Sequence, residues 1–108
     1  MYTRSKHYLD FNLAGFTYWD GLDVIEDLKL GTELSLKSES DNPYDPDAVA
    51  IYYGKYKIGY VPRTHNSEIS NFLYFGHENI FDAKISSASP EEHPERQFRV
   101  TIKIRDAR

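Results

Sequence analysis

The sequence predicts a mainly β protein: one closed or nearly closed barrel of about six strands, with one or two short helices. Three observations carry this. "QFRVTIKIR" (97–105) alternates without a break, Phe98, Val100, Ile102 and Ile104 on one side and Arg99, Thr101, Lys103 and Arg105 on the other, which is the period of a half-buried strand. "DAVAIYYGKYKIGYV" sets an apolar strand, Gly54-Lys55 and a second strand in succession, with glycine at the first central position of a two-residue type II′ hairpin. Short alternating runs and tight turns then fill a chain of only 108 residues, and closure is how so small a sheet removes its exposed edges.

The elements follow in order. Residues 1–8 read as a flexible N-terminal arm and 9–106 as a single domain. "FNLAGF" (11–16) reads as a short strand ending at Gly15. In "DGLDVIEDLKLG" (20–31), Leu22, Ile25 and Leu28 fall three apart, Asp23 is a cap candidate and Gly31 a stop, which predicts about two helical turns. "TELSLKSE" (32–39) alternates through Leu34 and Leu36. After the hairpin, with Tyr56, Ile58 and Tyr60 at alternate positions, "PRTHNSEISNFLYFG" (62–76) predicts a short helix. Thr64 is its expected N-cap, Ile69, Phe72 and Leu73 its apolar stripe, and Gly76 its end. "ENIFDAKISSAS" (78–89) is a strand with Phe81, Ala83 and Ile85 inward, and "ASPEEHPER" an acidic loop. Phe98, Val100, Ile102, Ile58 and Phe72 are the expected core.

Composition bounds the chemistry. With 40% apolar and 15% aromatic residues a core is within reach, and the absence of cysteine excludes disulfides, thiolate catalysis and cysteine-based zinc sites. No apolar run approaches membrane-spanning length, and "MYTRSKHYLD" lacks a signal-peptide core; the expectation is a soluble, cytoplasmic protein with no membrane partner. A net charge of −4 argues against coating nucleic acid through bulk charge, while leaving room for a local site. His7, His65, His77 and His93 fit no zinc spacing. Asp41, Asp45 and Asp47 lack the glycine and terminal glutamate of a calcium loop. No phosphate-cradling glycine motif or serine-nucleophile elbow appears. No cofactor, metal or catalytic residue is expected.

"DNPYDPDA" (41–48) stands out. Each proline fixes its own φ and pushes the residue before it toward extended geometry, and Asn42 and Asp45 suit Asx turns. The result is a stiff loop that presents Tyr44 and Asp45 in fixed directions, either to a ligand or, as the plainer alternative, with Tyr44 plugging the end of the barrel.

With "AGFTYWDG", "LKLGTELSLKSESDNPYDPDAVAIYY" and "KIGYVPR" in that order, the chain from about Phe11 to Ile104 resembles the HIRAN domain family. The resemblance implies an OB-like β-barrel. It occurs beside helicase-like remodelling and repair ATPases and as small free-standing bacterial proteins. It also implies a non-catalytic module that grips the 3′ end of single-stranded DNA in repair or replication-fork processing, with a helicase or nuclease supplied by another chain. By the same resemblance Tyr44 matches the residue that stacks on the terminal nucleotide and Asp45 the acceptor of the free 3′-hydroxyl. Tyr18 and Trp19 match an aromatic pair, Arg63 a phosphate-meeting base, and Tyr60 a position where histidine can occur. Thr17 stands where DNA-binding relatives carry arginine, and "PEEHPE" (90–95) is acidic where a relative offers an aromatic. The chemistry agrees: stacking on an aromatic ring is worth roughly 1–3 kcal/mol per base, and a carboxylate accepts a bond from a hydroxyl but repels a phosphate. The rival reading is a peptide-binding module using the same aromatics; a small metal-dependent nuclease ranks third.

Overall fold

The computed structural model describes residues 5–16, 19–89, 91–93 and 96–105. Six antiparallel strands are arranged in the order β1-β6-β5-β2-β3-β4. They are β1 (Ser5–Asn12), β2 (Glu33–Ser38), β3 (Val49–Tyr53), β4 (Tyr56–Tyr60), β5 (Phe81–Ala88) and β6 (Phe98–Arg105). One α-helix, α1 (Ser67–Tyr74), and 3-10 turns at Asp20–Asp27, Arg63–His65 and Glu78–Ile80 complete the described elements. The core gathers the inward faces of the strands, with Phe98, Val100, Ile102, Ile51, Ile58 and Ile85 all essentially sealed from solvent.

The sheet curls into a barrel that the strand ladders leave open between β1 and β4. Past the end of β1, one antiparallel bridge crosses that gap: the Ala14 amide donates to the Tyr60 carbonyl (3.1 Å) and the Tyr60 amide to the Ala14 carbonyl (2.9 Å). Gly59 makes the approach possible, since a Cβ there would lie 2.6 Å from the Ala14 carbonyl oxygen. The β3–β4 turn has Gly54 at φ 58° and no positive φ at Lys55, as a type II′ turn requires.

Several expectations are corrected. The first strand starts at Ser5, inside the segment read as an arm, and ends at Asn12 rather than Gly15. Its pairing with β6 shifts register between His7 and Leu9; this irregularity breaks the alternation that would have marked the strand, because an extra residue reverses the face of everything beyond it. Residues 20–27 form a 3-10 helix whose buried positions are Gly21 and Val24. Of the expected stripe, Leu28 is in the core and Ile25 packs against it, while Leu22 is exposed. Asp23 does not cap that helix: its N-cap residue is Trp19, without a side-chain bond. The α1 N-cap residue is Asn66, not Thr64, and its side chain does not cap the helix. Phe72 is 44% exposed rather than core: the buried stripe of α1 runs through Ile69 and Leu73, four apart, and Phe72 sits at its margin, edge-on to Phe81 at 6.1 Å. Finally, Tyr60 is not in phase with Ile58. Ile51 pairs with Gly59 and Tyr52 with Lys57, so Ile58 is an extra residue in β4, and the bulge turns Lys57 and Tyr60 toward the same side.

Candidate nucleic-acid interface

The bulge, the proline-framed turn and the chain leading out of the seam converge on one cleft of ≈ 890 Å³. Its lining includes Trp19, Tyr44, Asp45, Tyr60 and Arg63, five of the six residues singled out in the sequence. Tyr18 and Thr17 lie outside the described residues. None of 91–93, the described part of the acidic loop, lines the cleft.

One wall is the turn itself. The Asn42 side-chain oxygen accepts from the amides of Tyr44 (2.9 Å) and Asp45 (3.1 Å), and Asp45 Oδ1 accepts from the Asp47 amide (2.9 Å). These are two successive Asx turns. Held this way, Tyr44 stands 84% exposed. It plugs nothing, and most of its ring is open to a partner. Asp45 is mostly withdrawn: Oδ2 accepts from Asn66 Nδ2 at 2.9 Å and lies 3.6 Å from Arg63 Nε. Arg63 also donates to the Tyr44 carbonyl (3.1 Å), so it braces the turn while the rest of its fork remains in solvent. A carboxylate has about four acceptor sites over its two oxygens, so the neighbours of Asp45 leave capacity for a further donor.

The other wall is aromatic. Trp19 meets Tyr60 edge-on at 5.8 Å. The Lys57 ammonium lies 3.8 Å above the indole centroid and 4.6 Å from the Tyr60 ring, within cation–π range of both. Lys57 also donates to Glu39 Oε2 at 2.6 Å, and the Tyr60 hydroxyl donates to Glu39 Oε1 at 2.8 Å. Burial pushes the Glu39 carboxyl up, but the donors Lys57, Tyr60 and Asn42 outweigh it and hold the group below the usual glutamate value. Burial lowers Lys57, and its bonds to Glu39 and Tyr60 more than restore it, so the ammonium is held above its ordinary value. Burial raises the Tyr60 hydroxyl.

Glu39, Lys57 and Asn66 were not singled out in the sequence. Glu39 and Lys57 reach each other across 18 residues, and Asn66 and Asp45 across 21, so no local spacing marks them. The outward cations of β6 play no part here. Arg99 pairs with Asp10 (2.6 Å), and Arg105 donates to the Phe81 carbonyl. Among the described residues no group of three His, Asp or Glu could hold a metal, and no helix is long and apolar enough to cross a membrane.

Known structures share this architecture. A crystal structure of a protein from Lactobacillus plantarum superposes with a TM-score of 0.77 at 18% identity, covering 97% of this chain and 99% of that one. The crystal structure of the HIRAN domain of human HLTF gives 0.56 at 14% identity, covering 94% and 77%. No protein of curated function matches the sequence. The sequence profile of the HIRAN domain family matches residues 6–105, every strand but the first residue of β1 included, and the chain belongs to that family.

Proposed function

We propose that this domain is a non-catalytic DNA-binding module that takes the 3′-hydroxyl end of a single strand, in repair or replication-fork processing, while a helicase or nuclease on another chain does the chemistry. The observation that carries the reading is the pairing, on one braced turn, of an exposed ring at Tyr44 with the Asp45 carboxylate lining the same cleft. Tyr44 stacks under the terminal base. Asp45 accepts the bond from the 3′-hydroxyl. Trp19 and Tyr60 line the path of the preceding nucleotide, and the free edge of Arg63 meets phosphate. Stiffness of the turn limits the entropy lost on binding. Membership in the HIRAN family supports DNA as the ligand class.

The test uses three proteins and two oligonucleotides, one ending in a 3′-hydroxyl and one in a 3′-phosphate. The unaltered protein binds the hydroxyl end more tightly, because a phosphate would press against a carboxylate in a partly dry cleft. Asp45→Ala loses a charged hydrogen bond worth roughly 1.5–3 kcal/mol and narrows the gap between the ends. Tyr44→Ala weakens both alike. Equal affinity of the unaltered protein for the two ends would sink the reading.

A peptide-binding role is the second reading. It is favoured by the Trp19 and Tyr44 rings, both exposed where they line the cleft. Salt separates the two, since affinity for a phosphate backbone falls steeply with ionic strength and affinity for an apolar peptide does not.

A further inference from the structure

The two walls of the cleft come from distant parts of the chain, yet they share one anchor. Glu39 directly follows β2, where its amide donates to the Ala48 carbonyl (2.8 Å) and its own carbonyl accepts from the Asn42 amide (2.9 Å). Its carboxylate is filled on both sides. Oε2 takes the Lys57 ammonium at 2.6 Å, and Oε1 takes the Tyr60 hydroxyl at 2.8 Å and the Asn42 side-chain amide at 3.1 Å. On one side, Lys57 carries the link onward to the Trp19 ring. On the other, Asn42 carries it to the amides of Tyr44 and Asp45. An ionised carboxylate can accept from an ammonium, a phenol and an amide together. A glutamine in its place has one acceptor oxygen, and its NH2 must face either the ammonium or the phenol and amide donors, so the three bonds cannot all be kept.

We propose that Glu39 is the positioning residue that ties the aromatic wall of Trp19 and Tyr60 to the Tyr44–Asp45 turn, so that a strand end meets both as one preset frame. This rests on the strand-end reading for the ligand, but the tie itself is a property of the free protein. A preset frame gains affinity because neither wall has to be ordered when the ligand arrives.

The experiment compares Glu39→Gln and Lys57→Met with the unaltered protein, each first shown to be folded by its urea midpoint. Trp19 is the chain's single tryptophan, so its emission reports directly on the ammonium above the indole. Without ligand, Glu39→Gln is expected to shift that emission in the same direction as Lys57→Met, since both lift the cation off the ring. With the 3′-hydroxyl oligonucleotide, Glu39→Gln is expected to raise the Kd roughly tenfold or more, the scale of a lost charged hydrogen bond. Tyr44→Ala added to Glu39→Gln is expected to cost less than in the unaltered protein, the non-additivity that marks a shared network. Emission unchanged by Glu39→Gln overturns the tie. So does an unchanged Kd with fully additive double substitution. If the unaltered protein binds neither oligonucleotide, the strand-end reading falls, and the emission comparison alone decides whether Glu39 holds the walls together.

Discussion

Strand β6 and the 42–48 turn are held in place by opposite means. β6 is clamped by backbone ladders to β1 and β5 along its length, and it buries Phe98, Val100 and Ile102. The turn has no ladder. Its shape comes from two prolines and from the side-chain oxygens of Asn42 and Asp45, and its most prominent ring is almost wholly in solvent. The body of the molecule is therefore sensitive to volume and tolerant of chemistry, because cores accept apolar exchanges of similar size. The turn is sensitive to chemistry and tolerant of volume.

Three substitutions or conditions break or sharpen that contrast. The largest effect is expected at Ile102→Ala, where a sealed side chain leaves a cavity and costs about 2–5 kcal/mol. Urea unfolding reads the loss, while the preference for hydroxyl over phosphate ends, measured far from the midpoint, stays intact. An unchanged midpoint would contradict the burial of that face. Asn66→Ala comes next. Asn66 is 4% exposed and gives its side-chain amide to Asp45. Removing that donor is expected to cost about 1 kcal/mol of stability, because Asp45 is still in partial reach of water, but to erode the discrimination between ends. Asn66→Asp should erode it further by setting two carboxylates face to face. If both variants discriminate as well as the parent, Asn66 is only a packing residue.

The smallest effect is an acid titration. Glu39 has a folded-state pKa held below its ordinary 4.5, so its contribution is present above that value and is lost as pH falls through the folded one. Trp19 emission should stay flat from neutrality down past the ordinary glutamate range and change only below it. A transition centred at or above 4.5 would show that Glu39 is not held by its donors.

The same contrast explains what the sequence made legible. β5 and β6 were readable because an inward side chain every second residue is a local signal, and the β3–β4 hairpin because Gly54-Lys55 marks a two-residue turn after an apolar run. β1 was hidden by a register shift after His7. Phe72 was misplaced because a stripe drawn at spacings of three and four has margins, and an eight-residue helix covers only its centre. Of the residues lining the cleft, Tyr44 and Asp45 stood out as a rigid local turn, and Trp19, Tyr60 and Arg63 were singled out only through the family resemblance. Glu39, Lys57 and Asn66 were missed because their roles exist only across the fold. Lys57 in particular is turned to the same side as Tyr60 by the bulge at Ile58, which no alternation in the sequence marks.

Gly59 gives the site an unusual origin. The last joint of the barrel closes only because one carbon atom is missing opposite Ala14, and the next residue along is Tyr60. The absence that lets the two ends of the sheet touch therefore also sets Tyr60 against the chain at Ala14. The aromatic wall is a corner left where the sheet meets itself, and not a platform mounted on a finished surface. The groove's geometry is thus settled by the topology of closure before any ligand-facing atom is chosen. A change at position 59 would move the aromatic wall of the cleft without touching a single residue that lines it.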